Sequence, residues 1–454
     1  MEKNLTTGSV FKNVILFSLP YLLSYFLQTL YGMADLFIIG QFGTVADTTS
    51  VSVGSQVMHM ITVMIVGLAM GTTVCIGQAV GAKDSKKASK NVGNTAVLFM
   101  SVSLALTALL LILVRPIVAV MSTPKEAVEG TVAYLTICFI GIPFITAYNI
   151  ISSIFRGLGD SKSPMYFIAV ACASNIILDY VFMGALHFGP SGAALGTTLS
   201  QAISVAVSLI VIVKRKSIVL AKSDFNPSRF IMGNILKIGV PIALQDGLIQ
   251  IAFIIITVIA NQRGLSEAAA VGIVEKIISF LFLIPSSMLS TVSALGAQNI
   301  GANKPERAVK TLRYAIMLAC GFGIVVSVII QFTAEPVVGL FTDAGTQEGA
   351  RVVMFGAQYL RGYIWDCIFA GIHFSFSGYF CACGKSWLSF LHNITAIVLM
   401  RIPGVYITSK LFADTLFPMG LATAAGSLLS VIICLIAYAI LSKKKSKPER
   451  NYNE

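Results

Sequence analysis

Gln78-Ala-Val-Gly81-Ala82-Lys-Asp-Ser-Lys-Lys-Ala88-Ser-Lys90 recurs 220 residues later as Gln298-Asn-Ile-Gly301-Ala302-Asn-Lys-Pro-Glu-Arg-Ala308-Val-Lys310, with five identities and no gap. The same shift carries Pro116-Ile-Val118 onto Pro336-Val-Val338. A shift of 221 carries Pro20 onto Pro241 and Gln41-x-Gly43 onto Gln262-x-Gly264. At 225, Tyr134-Leu135 falls on Tyr359-Leu360, Phe155 on Phe380, Gly159 on Gly384 and Ser161 on Ser386. At 228, Pro190-x-Gly192 falls on Pro418-x-Gly420. A register that drifts so little over the whole chain marks an internal duplication.

Around these loops the chain is apolar. Of 454 residues, 56% are hydrophobic and 11% charged, with a mean hydropathy of +0.84. Soluble domains carry about 25% charged residues, so this chain could not cover itself with polar surface. That excludes a cytosolic enzyme or a secreted module and leaves an integral membrane protein. A helix needs about 20 apolar residues to cross the hydrocarbon. Twelve such runs lie near 14–40, 53–78, 92–114, 131–155, 165–186, 191–213, 235–260, 268–292, 314–334, 356–380, 387–409 and 417–441.

Orientation follows from charge. With the N-terminus inside, 23 of the 32 Lys and Arg fall in inner segments, five in outer segments and four within spans. Positive charge is retained on the cytoplasmic side, so both termini are expected there, in the plasma membrane. The net charge of +12 is then a topology signal, and no nucleic-acid partner is expected. The first apolar run is too long for a signal peptide, and no cleaved leader is expected.

Six spans per half is an even number, so both halves enter the membrane in the same orientation. Their pseudo-two-fold axis lies along the membrane normal. The expected architecture is an all-α protein of twelve transmembrane helices, in two six-helix bundles around a central cavity. The first lobe is 1–213, a basic cytoplasmic linker 214–234, the second lobe 235–441, and a basic cytoplasmic tail 442–454. Paired bundles of this kind suit an alternating-access carrier better than a channel or receptor.

Acids inside a bilayer cost at least about 2.5–3.5 kcal/mol each. The first half has two, Asp35 and Asp179. Counted along their spans, Asp35, Asp179 and Thr197 all lie roughly 7–11 Å below the outer boundary. Asn175 lies one turn deeper than Asp179 on the same face. No Lys or Arg within a first-half span offers a partner. Two carboxylates, an amide and a hydroxyl at one level suit a proton or a small hard cation, although Asn175 and Thr197 also serve as ordinary glue between helices. Pro20 removes a backbone hydrogen bond and permits a bend, or only a packing kink. The second half mixes signs: Asp246, Glu275 and Asp366 share its spans with Lys276, Arg361 and Arg401. These either pair with one another or present a carboxylate to a cationic substrate.

The chain resembles the MATE (multidrug and toxic compound extrusion) family, in the bacterial branch with DinF-like and MepA-like members. The likeness rests on Pro20, Met33-Ala-Asp35-x4-Gly40, the paired Gln-x-x-Gly-Ala loops, Arg156-Gly-x-Gly-Asp160-Ser, Asn175-x3-Asp179 and Gly192-Ala-Ala-x-Gly-Thr197. It implies export of cationic, amphipathic compounds against a proton or sodium gradient. It also implies a coupling-cation site at Asp35, Asn175, Asp179 and Thr197, with a bend at Pro20. A transporter rather than an enzyme is expected, monomeric, without a cofactor beyond H+ or Na+. The nearest alternative is a flippase for lipid-linked oligosaccharides or polysaccharides in the same superfamily.

Other signals carry less. Gly384-Lys385-Ser386 lacks the spacing and the preceding strand of a phosphate loop, which leaves an ion gradient as the energy source. The eight cysteines show no disulfide or zinc spacing. His59, His187, His373 and His392 are scattered, and packing or loop roles are expected for them.

Overall fold

The computed structural model describes residues 4–215, 220–342 and 345–445. Part of the linker (216–219) and the basic tail beyond 445 lie outside the described residues. Those described are almost wholly helical: α1 Val10–Phe42, α2 Val45–Gly81, α3 Ser85–Val120, α4 Val128–Ile140, α5 Ile142–Gly157, α6 Lys162–Asp179, α7 Gly189–Arg215, α8 Arg229–Asn261, α9 Leu265–Leu281, α10 Leu283–Gly301, α11 Pro305–Gly339, α12 Gln347–Tyr363, α13 Asp366–Ala382, α14 Trp387–Ala396, α15 Ile402–Leu411 and α16 Phe417–Lys445. Two π-helical segments, Tyr180–Ala185 and Ile397–Arg401, follow α6 and α14.

Ten helices or fused helix pairs among the described residues are long and apolar enough to cross a bilayer. An eleventh is α4 with α5, bent by 48° at Gly141. The segment expected as one span at 356–380 is instead two helices of 17 residues, α12 and α13, which carry Arg361 and Asp366. Proline accounts for several of these interruptions. Pro143 stands in the first turn of α5 and Pro403 in that of α15, and Pro285 follows the break between α9 and α10. Each lacks the N–H that would continue the ladder from the preceding helix.

Apolar side chains point outward along these helices. Only 11% of the apolar window of α3 is buried, and Leu109, Ile112, Phe332 and Leu340 are among the exposed large hydrophobics. A surface of that kind is at home in lipid and not in water.

The chain divides into two compact units, 1–247 with 290–311 and 381–384, and 248–289 with 312–380 and 385–454. Residues 290–311 and 381–384, from the second repeat, therefore group with the first. The described part of the linker is docked on α3: Asn94 Nδ2 donates to the Asp224 and Asn226 carbonyls, and Asn94 Oδ1 accepts from Ser228 N at 2.7 Å.

Candidate coupling-ion site

Three helices of the first unit, α1, α6 and α7, pack on one another and bring the first-half candidates together. Within α1, Pro20 has no N–H to give the Leu16 carbonyl, and Ser24 Oγ donates back to Pro20 O at 2.7 Å. Asp35 lies about four turns further on. Asn175 and Asp179 close α6, and the helix widens into its π segment directly after Asp179. Such widenings favour functional positions, because the extra residue per turn re-aims neighbouring side chains.

Thr197 Oγ1 donates to Asp35 Oδ2 at 3.2 Å, and Gly196, the residue before Thr197, lies against the Asp179 carboxyl. Asp35 is 2% exposed, and Asn175 and Asp179 are fully buried. Asp35 Oδ1, both Asp179 oxygens and both Asn175 amide atoms have no hydrogen-bond partner. Among the described residues no Lys, Arg or His forms an ion pair with either acid. Buried polar atoms without partners are rare, and a cluster of them marks a place where a ligand completes the bonding. The free atoms are hard oxygens on two acids and an amide. Such a set is completed by one proton between the carboxyls or by a small cation such as Na+.

Residues that the sequence did not assign to this site also shape it. Tyr31 stands one turn before Asp35 on α1, and Tyr134 of α4 is buried in the same core cluster as Ile38 and Ile39 of α1. Tyr134 OH pairs with Ser55 Oγ at 3.1 Å. Gly196 backs Asp179 so closely that an added Cβ would overlap Asp179 Oδ1. In the sequence it is the second glycine of Gly192-Ala-Ala-x-Gly-Thr197, a motif that does not name Asp179 as its neighbour. Gly196→Ala is expected to displace the Asp179 carboxyl and cost about 1–3 kcal/mol of overpacking. Thermal unfolding should then lose any dependence on pH or sodium that the wild type shows; an unchanged dependence would refute the assignment.

The second-half candidates do not form one network. Asp366 and Arg401 are joined: Arg401 donates to Asp366 Oδ2 at 2.7 Å and to Ser427 Oγ at 3.0 Å, all of them buried. Arg361 instead pairs with Glu335 at 3.2 Å and bonds the Gln331 carbonyl. Glu275 faces Thr257 Oγ1 at 3.2 Å, and Lys276 is exposed. Asp246 belongs to the first unit, beside Gln245 and against Gly67 of α2. Among the described residues, mutual pairing of these six thus holds for Asp366 and Arg401 alone. His373 and His392 pack ring to ring at 5.5 Å, and both His392 nitrogens are held, by Ser377 and Ser430.

A protein-family model, MatE, matches residues 20–181 and again 241–407. The chain belongs to the MatE family. Its two matches start at the repeat-related Pro20 and Pro241. This MatE protein is 28% identical over 398 residues to the probable multidrug resistance protein YpnP of Bacillus subtilis, covering 88% of each chain. It is 27% identical over 439 residues to the multidrug export protein MepA of Staphylococcus aureus, covering 95% of this chain and 94% of MepA. A crystal structure of MATE in complex with MaL6 superposes with a TM-score of 0.91 at 23% identity, over 98% of this chain and 99% of that one. The fold is the twelve-helix MATE fold, α12 with α13 standing in the place of the span expected at 356–380. The chain is a multi-pass membrane transporter, in a family that transports and does not catalyse.

Proposed function

We propose that this MatE protein is a secondary active multidrug exporter, exchanging an internal cationic amphipathic compound for an external proton or sodium ion. The observation that carries the coupling is the buried pair Asp35 and Asp179, with Asn175 and Thr197 beside it and, among the described residues, no cationic side chain in an ion pair with either acid. The multidrug names of YpnP and MepA support the substrate class.

In this reading an ion arriving from outside neutralises Asp35, and α1 repacks about Pro20. Repacking favours one orientation of an alternating-access cycle and so changes substrate affinity; the ion shifts that balance only by its differential affinity for the two states. The protein works as a monomer in the plasma membrane, with both termini cytoplasmic, needing no cofactor beyond the coupling ion. A flippase for lipid-linked sugars draws less support, because Arg361 and Arg401 are engaged by Glu335 and Asp366 and are not free to hold a phosphate.

The test is transport of a fluorescent lipophilic cation in proteoliposomes under an imposed pH gradient or an imposed sodium gradient. Uphill movement under one of them is expected and names the ion. Absence of movement under both, with transfer of a lipid-linked sugar across the same membranes, would overturn the proposal.

A further inference from the structure

The duplicated Gln-x-x-Gly loops meet inside the first unit, and they meet symmetrically. Gln78 Nε2 donates to the Ala382 carbonyl at 2.9 Å, and Gln298 Nε2 donates to the Gly157 carbonyl at 3.0 Å. The two acceptors are themselves repeat equivalents, 225 residues apart, in the register that carries Phe155 onto Phe380 and Gly159 onto Gly384. The glycines interlock in the same way. A Cβ on Gly81 would overlap the Gln298 carbonyl oxygen, and one on Gly301 would overlap the Gln78 carbonyl oxygen. The two Gln-x-x-Gly backbones thus lie flush across a local two-fold, and each glutamine side chain is held by a helix end of the other repeat, Gln78 by Ala382 and Gln298 by Gly157.

The N-terminal segment straps this contact. Leu5 N donates to Gln298 Oε1 at 3.3 Å, Lys304 Nζ to Thr6 O at 3.0 Å, and Arg307 to the Thr7 and Gly8 carbonyls at 3.1 Å. Arg156, next to the acceptor Gly157, stacks over the Tyr21 ring at 4.3 Å, and Tyr21 follows Pro20 in α1. The helix that carries Asp35 is therefore in contact, one residue after Pro20, with the neighbour of the residue that receives Gln298.

We propose that Gln78 and Gln298 are positioning residues for transport: a pseudo-two-fold latch that holds the Lys- and Arg-rich end of the first unit shut and parts once in each cycle. The inference deepens the exporter reading and rests on it for the cycle. The latch consists of two neutral amide–carbonyl bonds. Each shifts a two-state equilibrium by only about twofold to tenfold, which suits a contact broken at every turnover. The glycine contacts supply register in place of strength, since a flush approach leaves room for one alignment.

Native thiols report on the latch. Cys75 lies one turn before Gln78, and Cys383 follows Ala382; both are half-buried. Membrane-impermeant maleimide is applied to oriented vesicles from the side that bears Lys83 and Lys304, with wild type, Gln78→Ala, Gln298→Ala and the double variant. Each single change is expected to speed labelling of these cysteines about twofold to tenfold, and the double change by about the product. Where the alanine variants fold poorly, Gln78→Met and Gln298→Met keep the volume and remove only the amide. In wild type, labelling should also change when the driving ion or the transported cation is added. Unchanged labelling in folded double variants overturns the latch, and so does a wild-type rate indifferent to both ligands. If the variants and a ligand move the labelling while neither gradient drives transport, the latch stands and the exporter reading falls.

Discussion

Replacing Asp35 by Asn is expected to abolish gradient-driven efflux while leaving the protein folded and able to bind substrate. The two side chains are isosteric, and the amide oxygen still accepts from Thr197 Oγ1, which lies 3.2 Å from Asp35 Oδ2. Burial of the neutral amide is also cheaper than burial of the carboxylate, so stability should hold or rise. The coupling ion, by contrast, loses a charged partner worth about 1.5–3 kcal/mol, roughly tenfold to 150-fold in affinity. A site that no longer distinguishes the two orientations cannot transmit a gradient. Efflux in proteoliposomes should fall to the leak rate, with thermal unfolding of the same preparation at or above the wild-type midpoint. Thr197→Val removes one hydrogen bond and should cost far less. An Asp35→Asn protein that still concentrates substrate against its gradient would end the assignment.

Breaking the buried pair of the second unit should have the largest effect on stability. Asp366 is fully buried and Arg401 nearly so, joined at 2.7 Å. Arg401→Met leaves a carboxylate in an apolar interior without its counter-charge, and about 3–5 kcal/mol of destabilisation is expected. The paired change Asp366→Leu with Arg401→Met removes both charges and should recover most of the folded protein, since a buried pair often contributes no more than well-packed apolar residues. The exporter reading puts ion coupling in the first unit alone, so the folded double variant should retain uphill efflux. A well-folded double variant without efflux would move a transport role onto Asp366 and Arg401.

The first-unit site was legible in the chain because depth can be counted. Runs of opposite direction through a bilayer of known thickness put Asp35, Asp179 and Thr197 at one level, and the structure gathers those residues with Asn175. The part that Gly196, Tyr31 and Tyr134 play was not legible, since it depends on which faces of α1, α4, α6 and α7 meet, and an apolar helix carries little periodic pattern to say so. The π segment after Asp179 likewise leaves no mark on composition. The duplicated loops gave the repeat from sequence, yet their mutual contact needed coordinates, because nothing in Gln-x-x-Gly names its acceptor. The mixed charges of the second half failed as a network for a related reason. Asp366 and Arg401 meet across 35 residues, whereas Arg361 turns outward to Glu335.

In the proposed exporter, one ion at the Asp35–Asp179 cluster and one substrate exclude or weaken each other. Linkage makes this measurable without any gradient, since an ion that weakens substrate binding is itself weakened by the same factor. Substrate affinity of the purified protein is therefore measured by fluorescence titration across a pH series and a sodium series, for wild type and Asp35→Asn. The apparent Kd is expected to rise with proton or sodium concentration in wild type, by roughly 5–150-fold at saturation, and to stay flat in Asp35→Asn. A wild-type Kd indifferent to both ions, or the same dependence in both proteins, would contradict it.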